Sequence, residues 1–291
     1  MDPHIPVLLD ASLEFLAIRP DGIYVDATFG AGGHSRAILQ RLNGGRLIAL
    51  DADPSAAQRA QALAGTSFTF VQSNFRQLCA VLDRLGVERI DGVLFDLGVS
   101  SMQFDDPSRG FSFRESAPLD MRMDPRVGRS AYDILNTLSE AELADIFFNY
   151  GQERAARRIA RVIVERRAAG TLPHTTMEFA QMISGLLHRP GHRERLHPAT
   201  RVFQALRIAV NDELGALREG LDAAVGRLRT AGRIVAISFH SLEDRIVKHQ
   251  LRQDERLEVL TRKPLAPGEE ELARNPRARS AKLRAAKRKA S

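Results

Sequence analysis

Four short apolar runs recur at nearly constant spacing in the first hundred residues, and each leads to a residue with chemistry to offer. Gly22–Val25 leads to Asp26, Arg46–Leu50 to Asp51, Phe68–Val71 to Asn74 and Phe75, and Gly92–Phe95 to Asp96. The steps from Asp26 to Asp51, to Phe75 and to Asp96 are 25, 24 and 21 residues, each the length of one strand, one helix and their loops. Buried-type strands alternating with helical patterns predict an α/β fold with a mainly parallel sheet, which takes its ligands beyond the carboxyl ends of the strands. Asp26, Asp51, Phe75 and Asp96 are all expected there.

The segment after the first run is Asp26-Ala27-Thr28-Phe29-Gly30-Ala31-Gly32-Gly33-His34-Ser35, followed by Arg36-Ala37-Ile38-Leu39. It reads as strand, glycine loop and helix. Gly30, Gly32 and Gly33 permit a tight turn and close backbone approach, and the helix start offers unpaired N–H groups to a nucleotide-type ligand. Ser35 stands where the dinucleotide fingerprint needs its last glycine, and no Gly-Lys-Ser/Thr follows as in a phosphate-binding P-loop. The acid ahead of the glycines fits an S-adenosylmethionine loop better. Asp51, at the end of the second run, has a role under any nucleotide reading, because an acid there can accept both ribose hydroxyls. Asp53-Pro54 supplies a cap and a first-turn proline for the next helix.

A fifth run, Ile234–Ser238, ends 142 residues after Asp96. Two helices predicted between Pro198 and Arg229 leave roughly a hundred residues over, the size of a small domain. We therefore expect a discontinuous sheet domain, 1–106 with 207–291, interrupted by a helical insertion over 107–206. Within the insertion Ser139-Glu140-Ala141-Glu142 matches a capping box, Ile159, Val162 and Ile163 form an apolar stripe, and Asp105 to Arg129 is loop-like.

Charge is uneven. The chain carries a formal +6, but Arg274 to Ser291 holds eight cations and no acid, which leaves the rest near −2. That segment is expected to be either a tail that contacts phosphates or a flap over the active site. A second cluster, Arg154, Arg157, Arg158, Arg161, Arg166 and Arg167, surrounds the apolar stripe, so a polyanionic substrate is expected. The single cysteine, Cys79, lies in a helical apolar pattern and reads as packing rather than as a nucleophile; no cysteine cluster can hold zinc. No run of 18 apolar residues and no export pattern occur, so a cytoplasmic location is expected and neither a membrane span nor an obligate protein partner is.

Longer polar words add specificity. Asp96-Leu97-Gly98-Val99-Ser100-Ser101, Arg109-Gly110-Phe111-Ser112-Phe113, Pro118-Leu119-Asp120-Met121-Arg122-Met123-Asp124-Pro125, His197-Pro198-Ala199-Thr200-Arg201, Phe203-Gln204-Ala205-Leu206-Arg207, Val210-Asn211-Asp212-Glu213-Leu214, Ser238-Phe239-His240-Ser241-Leu242-Glu243-Asp244-Arg245 and Asn275-Pro276-Arg277-Ala278-Arg279-Ser280 stand in this order. Together they resemble the MraW family of bacterial ribosomal RNA cytosine-N4 methyltransferases, nearly end to end. The resemblance implies a class I, Rossmann-like methyltransferase that uses S-adenosylmethionine to methylate the exocyclic amine of a decoding-centre cytidine of 16S rRNA in the small ribosomal subunit. It implies cofactor contacts at Gly32, Gly33, His34, Asp51, Phe75, Asp96 and Gln103. Phe75 would stack on adenine, although a Phe after a strand also serves as core. His34, at a helix start, would donate to the cofactor's carboxylate. Where the family often has Ser-Ser-Pro-Gln, this chain has Ser100-Ser101-Met102-Gln103, which leaves the Gln103 backbone less fixed.

A conjugated exocyclic amine is a weak nucleophile, so the enzyme has to align it with the methyl donor and accept its hydrogen bonds. Asp96 is the first candidate for that work, with Ser100, Ser101 and His240 behind it; His240 serves equally well as a structural hydrogen-bonding residue. The target base must leave its stack. Three other readings stay open from the residues alone: a dinucleotide oxidoreductase, a non-catalytic ribosome-assembly binder, and an enzyme acting on DNA.

Overall fold

The computed structural model describes residues 5–188 and 197–290. Residues 189–196, inside the expected insertion, and Ser291, at the end of the basic segment, lie outside the described residues. The chain begins α1 (Leu9–Leu16), β1 (Ile23–Asp26), α2 (Gly33–Leu39), β2 (Arg46–Asp51), α3 (Ala56–Ala60), β3 (Phe68–Gln72), α4 (Leu78–Arg84) and β4 (Ile90–Asp96). Helices follow: α5 (Ser101–Asp105), α6 (Ala131–Thr137), α7 (Glu140–Asn149), α8 (Ala156–Ala168), α9 (Thr176–Leu187), α10 (Thr200–Asn211) and α11 (Glu213–Arg227). The chain closes with β5 (Leu228–Ser238), α12 (Ser241–Gln253), β6 (Leu257–Val259), α13 (Glu269–Arg274) and β7 (Lys282–Arg288).

The strands form one sheet in the order β3-β2-β1-β4-β5-β7-β6. β1 to β5 are mutually parallel, and β7 runs antiparallel to both β5 and β6. Parallel strands need helices on both faces, and the burial of Leu47–Leu50 and of Ile90–Phe95 without alternation reflects that double cover. On one face Leu78, Val81, Leu82, Leu217, Leu221 and Val247 pack against Ile48, Leu50, Val93 and Phe95; on the other, Leu13, Leu16 and Ile38 pack against Leu47, Leu94 and Val235. Sheet order reverses between β1 and β4, where Asp26 pairs in register with Leu94. Asp26 and Asp96 therefore end neighbouring strands at the switch point of the sheet, the usual position of a ligand crevice.

The chain divides into two compact units, residues 1–98 with 214–291, and residues 99–213. The borders lie outside the expected 107 and 206, for local reasons. Ser100 and Gln103 cap α5, which starts a helix in the second unit, and a border at 206 would have cut α10 in half. The last turn of α10 is tied to the loop ahead of α6: the Asn211 side-chain amide donates to Met121 O and its carbonyl accepts from Met123 N. Leu135, Leu143, Phe147, Ile159, Ile163, Phe179, Val202 and Leu206 build the second unit's own core. The Ser139–Glu142 capping box forms as the spacing predicts, and Ile159 and Ile163 are buried while Val162 is half-buried.

The basic C-terminal segment is not a tail. Lys282–Arg288 is β7, inserted between β5 and β6, with Leu283, Arg284, Ala285 and Ala286 buried. Its charges are matched by acids distant in sequence. Asp244 takes Arg284 at 2.6 Å and Lys282 at 3.4 Å, Glu258 takes Lys287 at 2.8 Å, and Arg288 donates to Val225 O. The turn before β7 supports the N-terminal segment instead: Asn275 donates to Ile5 O, and Glu271 of α13 accepts from Leu8 N. Cys79 sits half-buried on α4, as packing.

Candidate active site

The site is assembled in the first unit at the carboxyl ends of β1, β2 and β4. After β1 the chain turns through Gly30 (φ 54°) and Gly32 (φ 79°), left-handed conformations that cost an L side chain free energy. Gly33 opens α2 with Pro6 so close that a Cβ would lie 2.3 Å from its Cγ. The turn is held from outside: Asp51 Oδ2 accepts from Gly30 N at 2.8 Å, and Arg59 Nε donates to Gly30 O at 2.9 Å. Asp51 Oδ1 accepts from Asp53 N, so each carboxylate oxygen keeps lone pairs for a further donor. Burial raises the Asp51 carboxyl above its ordinary range, against the pull of those two N–H groups. Asp53 accepts from the Ser55 backbone N–H and hydroxyl, which closes a turn ahead of α3; the N-cap of that helix is Ser55, without a side-chain cap, and not Asp53 as expected.

Asp26 is 1% exposed and accepts from Ser35 Oγ at 2.7 Å and from Thr28 N at 3.1 Å. Burial pushes its carboxyl up to about 6 although both donors oppose the shift. Next to it, Asp96 N donates to Thr28 Oγ1 at 2.7 Å, which ties the end of β4 to the glycine loop. Asp96 Oδ2 lies 3.6 Å from His34 Nδ1, while Oδ1 is sealed from solvent without a hydrogen-bond partner. Burial, then the charges of Asp26 and Glu243, push this carboxyl up to about 8. An unsatisfied buried oxygen is costly, and a donor from a ligand would satisfy it.

The other expected residues fall as follows. Phe75 is half-buried at the start of a short turn after β3, edge-on to Phe95 at 5.5 Å and packed on Gly220 of α11, so only part of its ring is available for stacking. His34 is 5% exposed, and its Nε2 donates to Val7 O at 3.1 Å, so that ring N–H is engaged within the protein. The backbone N–H groups of Gly33 and His34 fit a cofactor carboxylate instead, whereas the Gly32 N–H is taken by Phe29 O at 2.8 Å inside the turn. His240 is the N-cap of α12, where its Nδ1 accepts from Glu243 N at 3.4 Å. Ser100 and Gln103 belong to the second unit and cap α5 reciprocally: Ser100 N donates to Gln103 Oε1 at 3.0 Å and Gln103 N to Ser100 Oγ at 3.2 Å. Sequence reading missed Glu243, whose Oε2 accepts from Phe239 N and His240 N. The His-x-x-Glu spacing after the fifth run was its only signal.

A seven-stranded sheet with only β7 reversed, a glycine cradle after β1 and an acid after β2 define a class I methyltransferase, an α/β fold in which the cradle and Asp51 fit a nucleoside cofactor. The protein matches the model of the MraW methylase family over residues 1–289, and the chain belongs to that family. It is a methyltransferase, and its cofactor is S-adenosylmethionine. It is 49% identical to ribosomal RNA small subunit methyltransferase H of Carboxydothermus hydrogenoformans over 97% of each chain. It is 52% identical to the protein of the same name from Cyanothece sp., covering 98% of this chain and 94% of that one. Among solved structures, an rRNA methylase from Streptococcus thermophilus aligns over 99% of each chain with 14% identity and a TM-score of 0.46. Among the described residues no helix is long and apolar enough to cross a membrane.

Proposed function

We propose that the enzyme methylates the exocyclic N4 of a decoding-centre cytidine in 16S rRNA of the small ribosomal subunit, at the sheet end around Asp96. The observation that carries this is the sealed, unpartnered Oδ1 of Asp96, one strand away from the glycine loop. S-adenosylmethionine, when bound, supplies a sulfonium methyl group. The target amine would take that methyl through its lone pair and lose one proton to solvent, with Asp96 as the acceptor that would hold its N–H groups in line. As N4 gives up its lone pair its remaining N–H bonds become stronger donors, so an acceptor at Asp96 stabilises the transition state more than the ground state. Asp51 would bind the ribose hydroxyls, Phe75 would border the adenine, Gly33 and His34 would offer backbone N–H groups, and Gly32 would shape the turn that brings them close. The ribosomal RNA in the relatives' names supports the substrate class.

The second unit would contact RNA through α8. Arg157, Arg158 and Arg161 share one face of this helix by its 3.6-residue period, with Arg154 just before it, and all four are exposed. Among the described residues Arg154, Arg157, Arg158 and Arg166 have no acidic partner, whereas Arg161 lies 4.0 Å from Glu140 and Arg167 donates to Leu135 O and Leu138 O. Unpaired arginines on a rigid helix suit phosphate.

The test is transfer of a labelled methyl group from S-adenosylmethionine to small subunits, naked rRNA and DNA, followed by nucleoside analysis. Label in N4-methylcytidine from small subunits supports the proposal. Label in another nucleoside, or only in DNA, overturns it.

A further inference from the structure

Methyl transfer at Asp96 leaves His34 without a task, although its imidazole is buried at the centre of the site. Its Nε2 faces a carbonyl, Val7 O, which only accepts; Nε2 must therefore carry a proton. In a neutral imidazole the other nitrogen then carries none, and Nδ1 is the atom that faces Asp96 Oδ2 at 3.6 Å. Nδ1 and a carboxylate oxygen are both acceptors, so facing each other they call for a proton between them. Two other groups bear on where it sits. Asp26 on β1 and Glu243 on α12 both present carboxylates toward Asp96, and both are already occupied as acceptors, by Ser35 and Thr28 N and by Phe239 N and His240 N. Two flanking anions place the proton on Asp96, while burial disfavours a charged imidazole.

We propose that His34 is a positioning residue that keeps Asp96 a neutral carboxyl, with its O–H directed at the unprotonated Nδ1 of His34 and its Oδ1 left as the acceptor for the amine being methylated. The 3.6 Å separation is longer than a closed hydrogen bond, as is common for catalytic contacts before ligands bind. The arrangement has a chemical consequence. An asparagine in place of Asp96 reproduces it, since its N–H group can donate to Nδ1 and its carbonyl can accept from the amine, whereas an ionised general base cannot be replaced in this way. The inference rests on methyl transfer to an amine, and its first test does not depend on that reading.

Nitrogen NMR of the histidine-labelled protein without substrate is expected to show His34 as the neutral tautomer protonated on Nε2 at pH 7, and carbon NMR of labelled aspartate to show Asp96 protonated there. An imidazolium beside an ionised Asp96, or the Nδ1–H tautomer, overturns the proposal even if the enzyme methylates rRNA as described. In turnover, Asp96→Asn should keep kcat within about tenfold of wild type, while Asp96→Ala should lose about a hundredfold or more. An Asn variant as inactive as the Ala variant contradicts the neutral acceptor. His34→Leu should lower kcat with cofactor affinity within about threefold by calorimetry; a large loss of cofactor affinity would instead make His34 a cofactor ligand and overturn the assignment. Thermal unfolding of each variant establishes that it is folded.

Discussion

Two regions of this molecule are rich in arginine and lysine, and they do opposite things. The exposed face of α8 keeps Arg154, Arg157 and Arg158 free of acidic partners among the described residues, while β7 has Lys282, Arg284 and Lys287 matched by Asp244 and Glu258 inside a sheet. Composition makes the C-terminal segment the better candidate for holding RNA, because it contains no acid. The difference lies in what the rest of the fold brings alongside. Charge density predicts a polyanion site only where the partners are absent in space, and that is a property of topology.

The contrast is tested most severely by removing residues 282–290. If β7 were a tether, truncation would spare the fold. With Leu283, Ala285 and Ala286 buried and β5 paired to it along six residues, we expect a loss on the order of 5–10 kcal/mol and a protein that fails to fold, read by circular dichroism. A folded truncated protein with unchanged melting would contradict the assignment of β7.

Asp244→Ala sharpens the same point with one side chain. Burial alone would raise this carboxyl, but Arg284 and Lys282 hold it below the usual range, and Arg284 is only 6% exposed. Removing the acid strands that guanidinium, at a cost of about 3–5 kcal/mol in urea unfolding. The same substitution should leave cofactor affinity alone. A change under about 0.5 kcal/mol would mean that the pair is solvated in practice.

The parallel sheet and its strand-end acids were legible because buried strands write themselves as continuous apolar runs, and because an acid directly after three of the first four runs has few structural excuses. β6 and β7 were illegible for the opposite reason. Lys-Leu-Arg-Ala-Ala-Lys-Arg becomes a strand only once Asp244 and Glu258 neutralise it, and those partners lie 40 and 29 residues away for Arg284 and Lys287. The burial of His34 was not legible, since its imidazole is held by Val7, 27 residues earlier and outside the glycine motif. Ser100 and Gln103 were recognised by family resemblance, yet their spacing is also that of a capping box, and the structure uses it as one. The unit borders were missed by up to eight residues because capping and loop ties, not composition, decide where a helix joins a core.

The site carries its own pH signature, smaller than the losses above. Asp96, at about 8, binds its proton more tightly folded than unfolded, so its contribution to stability is greatest below the ordinary carboxylate range and is lost as pH rises from about 4 through about 8. Asp26, at about 6, acts in the same direction over a narrower window. Asp96→Asn should remove most of that decline, gaining about 2–5 kcal/mol relative to wild type between pH 4 and pH 8, with the lower end favoured by a side chain 22% exposed. Parallel stability curves for the two proteins would show that Asp96 ionises normally.

The smallest effect on stability, and the most direct test of how the two basic regions divide their work, is the salt dependence of binding to small-subunit rRNA. Arg154, Arg157 and Arg158 are each changed to Gln in one variant, and Lys287 to Gln in another. If α8 neutralises phosphates, the triple variant should flatten the slope of log affinity against log salt by about 0.7–0.9 for each phosphate no longer neutralised, up to about 2–3 in all, with melting unchanged. Lys287→Gln should leave the slope as it is, because that cation is committed to Glu258. An unaltered slope in the triple variant together with a flattened one in Lys287→Gln would reverse the assignment and return the RNA contact to the C-terminal segment.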